Sequence, residues 1–589
     1  MPTLRFAPLA LILTLLGSSV PAATQSPPPP PPPPDLSGLW TAALRFGPDI
    51  RGTLIILRQT DGWRADIAGF RVPAQSDGPT ISFELPDNKG SFRGKLTGRA
   101  IHGHWIQPRT QHSGLRYASP VTLEPSGPNA TNRWQGTITP LDDRFTVYLP
   151  LTPRSAGAYQ TFLRNPERNF GRFFPVSRVE LRGDSVRLIG NMGEGERTLT
   201  QGIYEDGVIW AVRLRGGAYD FSRVTDASAS TFYPRGKPAP RYRYAPPLQR
   251  DDGWPVAAVE DVGISRPAIE RFVQMLIEVP MDSFGSSQVH SLLIARHGRL
   301  VVEEYFHGTH RDMPHDLRSA SKSWVSVLIG AAMHAGIPIR LDMPVYETML
   351  GSLPPNLDPR KRAMTLEHLM SMTAGYQCDG DMAAPGTADE DAMQQSGEQD
   401  FYRYTLNVPL ISAPGEKIYY CSTEPNLAGG MLEKVARESQ VELFDRLVGR
   451  PLQMRPYHLM LQPTGEAYGG GGHQFVPRDF MKLAQLWVDG RWGGKRILSR
   501  DWVQRSRAPL LDLSPRQQYR WLWNSVEYSF GERKVRAYFA GGNGGQIFMA
   551  IPDLELVIAF TGGNYSMATT LTAQREYIPQ YLLPAIITP

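Results

Sequence analysis

A serine and a lysine three positions apart, in Ser319-Ala320-Ser321-Lys322, open an apolar run at 324–333 that is hydrophobic nearly all round. Such a run reads as a buried helix, and a serine at its first turn puts Lys322 one turn later on the same face. A serine hydroxyl is a poor nucleophile at neutral pH, so a neighbouring base must take its proton. A lysine amine can do so when burial and the positive end of a helix dipole disfavour its charged form. The same helix start aims backbone N–H groups at an oxyanion developing on an attacked carbonyl. Ser319 and Lys322 are therefore the candidate nucleophile and base for acyl transfer. A chain of 589 residues yields about one S-x-x-K by chance, and the spacing alone also fits an N-cap serine beside a surface lysine.

Other chemistries lack their residues. Among twelve histidines no G-x-S-x-G elbow supplies a nucleophile for a Ser-His-Asp arrangement. No H-E-x-x-H segment occurs, and two cysteines are too few for a thiolate zinc site. His473, directly after the glycine run 469–472, reads as loop structure. No phosphate-binding or dinucleotide fingerprint is present, so neither a metal nor a cofactor is expected.

Two further segments carry chemistry. Pro414-Gly415-Glu416-Lys417-Ile418-Tyr419-Tyr420-Cys421-Ser422 runs into Asn426-Leu427-Ala428-Gly429-Gly430. Gly541-Gly542-Asn543-Gly544-Gly545-Gln546 enters an apolar strand at 547–551. With S-x-x-K, and in this order, they resemble the catalytic elements of the serine β-lactamase and penicillin-recognising hydrolase superfamily. The most similar group holds class C β-lactamases, D-alanyl-D-alanine carboxypeptidases and related esterases. The phrases at 366–375, 469–480 and 489–502 are similar to that family's scaffold, and the resemblance spans about 262–585.

The resemblance implies an α+β domain and roles for particular residues. Tyr420 falls on the tyrosine of a Y-x-N element and would share a proton with Lys322 and protonate the leaving group. Ser422 stands where Asn is usual. The 541–546 segment resembles a K-T-G or H-x-G strand, whose glycines let a substrate backbone lie close. Gln546 would supply the second oxyanion N–H beside that of Ser319, with Asn543, Gly544 and Gly545 along the substrate. Ser422 offers less donor capacity than a carboxamide, and Asn543 lacks the cation that could hold a substrate carboxylate. Both departures point away from β-lactams and D-Ala-D-Ala, toward an ester or amide anchored differently.

The elements that position these residues divide the chain. At 41% hydrophobic and 20% charged residues, the composition is that of a soluble globular protein and excludes a disordered chain, a coiled coil or a polytopic membrane protein. The net charge of +5 comes without a dense Lys/Arg stripe, so no nucleic-acid partner is implied. Residues 1–22 have the parts of a secretory signal: Arg5, an apolar run at 6–16 too short to span a bilayer, and Val20-Pro21-Ala22. Export to the periplasm or medium is expected, with no transmembrane anchor after cleavage. A proline-rich spacer fills 23–35. In an exported chain the pair Cys378 and Cys421 reads most simply as a disulfide, with two buried thiols as the other reading. A bridge would pin the loop presenting Tyr420.

Residues 36–232 read as β structure, with strands near 52–59, 63–70, 80–85, 99–106, 185–189 and 207–214 between Gly, Asp, Asn and Pro turns. A faint repeat pairs Trp40 with Trp134 and Trp105 with Trp210, about a hundred residues apart. One or two barrel- or sandwich-like units are expected there, of unassigned role. A proline- and charge-rich linker occupies 233–256. In 257–589 a helix near 267–279 and a hairpin at 289–306 precede a helical middle, and strands return at 519–525, 535–540, 545–551 and 555–562. That order predicts one sheet fed from both ends of the segment. The whole reads as an exported serine hydrolase acting on an ester or amide through a Ser319 acyl-enzyme. β-Lactamase or carboxypeptidase activity, and an envelope ligand-binding protein with a degenerate hydrolase domain, are the alternatives.

Overall fold

The computed structural model describes residues 34–587, except 112–113, 128–131, 156, 226–228, 230, 379–396, 510 and 515–516. The segment expected to be a secretory signal, and the spacer up to Pro33, lie outside the described residues.

Alternation of apolar and polar residues makes the N-terminal strands. Leu54 and Ile56, then Ile81 and Phe83, are buried while their neighbours face out, the two-residue period of a sheet with one wet face. The strands are β1 (Gly38–Gly47), β2 (Gly52–Gln59), β3 (Gly62–Ile67), β4 (Phe70–Asp77), β5 (Thr80–Glu84), β6 (Ser91–Thr97), β7 (Ala100–Ile106) and β8 (Arg116–Pro125). A second run holds β9 (Arg133–Ile138), β10 (Asp143–Ser155), β11 (Ala158–Gln160), β12 (Val176–Arg182), β13 (Ser185–Asn191), β14 (Glu196–Glu205), β15 (Val208–Leu214) and β16 (Gly217–Arg223).

These sixteen strands close two barrels, one inserted in the other: β2 to β9 are consecutive in the chain and form one ring, placed between β1 and β10 of the second ring. β1 lies between β10 and β16 and completes the ring of the second run. β9 lies between β2 and β8 and completes the ring of the first. The repeated tryptophans sit one in each barrel: Trp40 on β1 is buried in the second-run barrel and Trp134 on β9 in the first-run barrel. Trp105 on β7 is buried, but Trp210 on β15 is 41% exposed. Trp210 alternates with the buried Ile209 and so faces out, and a register shift between Ile209 and Val212, with Ala211 at φ 57°, returns Val212 to the inside.

Residues 233–256 cross to the C-terminal part as an extended strap. Its Tyr242 hydroxyl donates to Glu304 Oε1 at 2.5 Å, its Tyr244 hydroxyl to Val301 O, and the buried Trp254 indole to Arg478 O.

The C-terminal part is α+β. Its hairpin is β17 (Val289–Arg296) and β18 (Arg299–Tyr305), and two short strands, β19 (His315–Asp316) and β21 (Gln474–Phe475), flank β20 (Tyr457–Leu461) in chain order. The hairpin β22 (Arg491–Trp492) and β23 (Lys495–Arg496) stands apart from β24 (Leu511–Ser514), β25 (Gln517–Arg520), β26 (Trp523–Phe530), β27 (Arg533–Gly542), β28 (Gln546–Ile551) and β29 (Leu556–Gly562). An eight-stranded sheet runs β18-β17-β29-β28-β27-β26-β25-β24, so both ends of the segment feed one sheet. Helix α1 (Arg266–Ile277) and the closing helical segment Ala573–Leu582 cover one face. Helices α2 (Ser323–His334), α3 (Thr423–Ala436) and α4 (Pro477–Asp489) belong to the core on the other.

The strand expected at 519–525 is in fact two. Trp521 and Leu522, at φ 46° and 65°, form a tight turn between β25 and β26. Neither is a turn-forming residue by type. Burial holds them there: Trp521 stacks on Trp502 at 4.6 Å, and the Leu522 N–H bonds Met370 O.

A second sheet joins the two parts. β8 pairs with β9 only at 124–125, and its other end, Arg116 to Ala118, pairs with β20. From β20 the sheet continues through β21 to β19. Among the described residues no helix is long and apolar enough to cross a membrane.

Candidate active site

The residues just before α2 form a tight turn. Arg318–Lys322 is 3-10 helical, and the α-helix expected from Ser319 starts at Ser323. Side chains three apart eclipse in a 3-10 turn, which brings Lys322 over Ser319: its Nζ donates to Ser319 Oγ at 2.9 Å. Lys322 is buried and Ser319 half-buried. No carboxylate among the described residues ion-pairs with Lys322. The turn is pinned on several sides. Ser321 Oγ donates to Arg318 O at 2.8 Å and accepts the His473 N–H at 3.2 Å. Ser323 Oγ donates to Leu522 O at 2.6 Å. Gly471 packs so near that a Cβ there would sit 3.0 Å from Arg318 O.

His473 acts on the loop. Its N–H holds Ser321, its Nδ1 accepts the Met460 N–H at 2.8 Å, and its ring stands edge-on to Trp324 at 5.1 Å. Burial pushes its pKa down to about 3, so the ring is neutral at ordinary pH.

Tyr420 comes from a loop fastened at both ends. Cys378 and Cys421 are joined by a disulfide, the Tyr419 N–H bonds Met372 O at 2.9 Å, and α3 begins at Thr423. The Tyr420 ring faces Lys322, with Nζ 5.0 Å from its centroid. Ser422 is buried at the entry to α3.

The third side is the end of β27 and the start of β28. A Cβ on Gly542 would lie 2.3 Å from Leu317 O and 2.8 Å from Ala320 N, so only glycine lets the strand touch the serine turn. Gly544 and Gly545, at φ 98° and 93°, make the bend into Gln546. The Gln546 side chain clasps β29, its Nε2 donating to Gly562 O at 2.7 Å and its Oε1 accepting the Gly562 N–H at 3.1 Å. Only the backbone of Gln546 is left to face a substrate. Asn543 spends its amide on Ser566, accepting the Ser566 N–H at 2.7 Å and donating to Ser566 Oγ at 3.3 Å. The structure thus gathers Ser319, Lys322 and Tyr420 at one place, beside the Gly542–Gln546 edge.

Other residues at this site carried no sequence signal. Asp316, 7% exposed, accepts the Arg318 N–H on Oδ1 at 2.9 Å. Its Oδ2 pairs with Arg168 Nη1 at 2.8 Å and with Arg318 Nε at 3.4 Å. Burial opposes the Asp316 charge, but Arg318, then Arg168 and the Arg318 N–H, outweigh it and hold the carboxyl below its usual pKa. The Arg318 guanidinium lies over the Tyr565 ring at 4.9 Å, and that ring packs on Gly544. Arg168 sits in the loop between β11 and β12, in a stretch without periodicity or motif.

Residues 285–573 match the family model described as Beta-lactamase. A curated relative, 6-aminohexanoate-dimer hydrolase of Paenarthrobacter ureafaciens, is 24% identical over 261 residues, which is 42% of this chain and 62% of the relative. The chain thus spans about three-fifths of that relative's length. Among solved structures, a D-stereospecific amidohydrolase from Streptomyces sp. is 16% identical, covering 49% of this chain and 95% of its own, with a TM-score of 0.39. A penicillin-binding protein homologue from Caulobacter crescentus is 14% identical, covering 50% and 91%, with a TM-score of 0.40.

Proposed function

We propose, from the match of residues 285–573 to the Beta-lactamase family model, that the chain is a serine hydrolase cleaving an ester or amide through an acyl-enzyme on Ser319. The observation that carries this is the 2.9 Å contact between Lys322 Nζ and Ser319 Oγ, a nucleophile and a base within direct proton-transfer reach.

Lys322 takes the hydroxyl proton as Ser319 Oγ bonds the substrate carbonyl carbon. The carbonyl oxygen becomes an oxyanion held by the backbone N–H groups of Ser319 and Gln546. As the tetrahedral adduct collapses, the carbon–oxygen or carbon–nitrogen bond breaks, and the leaving group receives the proton from Lys322 by way of Tyr420. Water adds to the acyl-enzyme by the same steps in reverse order of partners, releasing the acid and restoring Ser319. Ser422 and Asn543 favour a substrate without a carboxylate at the position where the family's cation would stand. The curated relative is named as a hydrolase of a 6-aminohexanoate dimer, which supports a small non-β-lactam substrate. The segment 1–22 and the Cys378–Cys421 bridge support export to an oxidising compartment.

The test is turnover on p-nitrophenyl esters, short amides, nitrocefin and a D-Ala-D-Ala peptide, with covalent labelling by a fluorophosphonate. Ser319→Ala and Lys322→Ala are expected to abolish turnover, and Ser319→Ala to abolish labelling. A folded Ser319→Ala variant with wild-type turnover sinks the proposal. Turnover confined to nitrocefin or the D-Ala peptide would replace the substrate class.

A further inference from the structure

We propose that the N-terminal barrels complete the active site, with Arg168 as a positioning residue that holds Asp316 and, through it, the turn presenting Ser319. This rests on the reading of Ser319 as nucleophile.

Arg318, next to the nucleophile, has φ 48°, a left-handed conformation that a side chain with a Cβ disfavours. The hydrogen bond from its N–H to Asp316 Oδ1 fixes it there. That acceptor is stronger as a carboxylate, and a carboxylate 7% exposed needs cations beside it. One is Arg318 itself, at 3.4 Å with its guanidinium drawn over Tyr565. The closer one, at 2.8 Å, is Arg168, from a barrel loop about 150 residues earlier. Burial disfavours the Arg168 charge, yet Asp316, Tyr117 and Tyr565 more than offset this, so the guanidinium stays charged. Tyr117 belongs to β8, so both barrels meet the catalytic domain at this one guanidinium.

The same loop braces the opposite rim. Asn169 Nδ2 donates to Tyr565 O at 2.8 Å, and the Tyr565 ring packs on Gly544, two residues before the Gln546 N–H. The sheet β8-β20-β21-β19 reaches Asp316 from the first-run barrel. The serine turn and the oxyanion edge are therefore held at their mutual distance by parts of the chain outside the β-lactamase-like domain.

The experiment measures kcat, KM, the fluorophosphonate labelling rate and Tm of the full chain on an ester whose turnover requires Ser319. Arg168→Gln is expected to lower kcat and labelling about 10²-fold with KM nearly unchanged, the cost of roughly 1 Å of misplacement. Arg168→Lys, which keeps the charge on a shorter and less directional head, should recover part of the loss but leave kcat several-fold below wild type. Arg164→Gln is the control, since Arg164 ties the same loop to Ser283 O and Phe284 O without touching Asp316, and it should keep wild-type kcat. A folded Arg168→Gln variant with full kcat overturns the proposal, as does an equal loss in Arg164→Gln, which would mean docking alone matters. Should Arg168→Gln fail to fold, Arg168→Lys decides: undiminished kcat overturns, and reduced kcat at constant KM supports. Turnover that survives Ser319→Ala overturns the nucleophile assignment, whereas turnover that needs Ser319 but ignores Arg168 overturns this proposal alone.

Discussion

The tightest constraint on the site is the contact between Gly542 and the serine turn, and Gly542→Ala tests it. The added Cβ would stand 2.3 Å from Leu317 O, 2.8 Å from Ala320 N and 3.2 Å from Ala320 Cβ. All three belong to the turn's backbone or its shortest side chain, so nothing can rotate away. Reaching an ordinary carbon–oxygen separation of about 3.3 Å requires roughly 1 Å of movement between β27 and the turn. Neither partner yields readily. The Leu317 N–H is bonded to His473 O and Arg318 O accepts the Gly472 N–H, while Gly541 and Gly542 are paired to Ile547 and Gln546. The movement therefore appears as a change in the distance from Ser319 to Gln546, the two proposed oxyanion donors. A shift of that size costs about 10²-fold in turnover, or about 2.7 kcal/mol of transition-state stabilisation, with about 1–3 kcal/mol of stability lost to overpacking. The assay is kcat/KM on a Ser319-dependent ester together with Tm. Gly541→Ala serves as comparison, because its Cβ would meet mainly the Phe539 ring, at 3.1 Å, and a ring can tilt. Gly542→Ala with kcat/KM within about twofold of wild type would refute the argument that this strand sets the geometry of the serine.

The buried histidines make stability depend on pH. His104, His307, His458 and His473 are all buried, and burial above all pushes each pKa down to about 3. The unfolded chain protonates these rings below about pH 6.5 while the folded chain refuses the proton, so stability is full above pH 6.5 and is lost as pH falls. Each ring contributes up to about 1.4 kcal/mol per pH unit; Tm should drop between pH 6.5 and 5, before carboxylates titrate, and a flat Tm there contradicts neutral burial of these rings. The disulfide closes a loop with a sequence separation of 43, worth about 4 kcal/mol of unfolded-chain entropy. Cys378→Ser with Cys421→Ser should lower Tm and also reduce kcat by loosening Tyr420, and two free thiols in the native, unreduced protein would remove the bridge from the account.

Local patterns were legible in the sequence to the extent that chemistry or periodicity wrote them. The 52–59 strand, the hairpin around His297-Gly298 and the sheet fed from both ends follow from two-residue alternation and turn residues. The contact between Ser319 and Lys322 was readable because residues three apart can share one turn. The bridge between Cys378 and Cys421 was readable because an even pair of cysteines behind a signal-like segment reads most simply as a disulfide. What was hidden is of another kind. The turn at Trp521-Leu522 is imposed by Trp502 and Met370, which no local rule contains. Asn543 pointed to substrate by its position in a motif, but its amide is occupied by Ser566, from the far side of β29. Arg168 and Asp316 are 148 positions apart, and an ion pair across that distance leaves no spacing to detect.

The barrel topology bears on what the N-terminal half is for. Strands β2 to β9 are consecutive and close the first barrel by themselves, inserted between β1 and β10 of the second. Removing 52–138 would therefore take out a whole ring, whereas a cut between β8 and β9 opens edges that closure had hidden. The first barrel lends the free end of β8 to β20, and the second sends Arg168 to Asp316. Each barrel thus has its own contact with the surroundings of the serine turn. The proposed brace expects loss of the inserted barrel to disturb turnover at Ser319; an appended binding module could be removed with turnover unchanged.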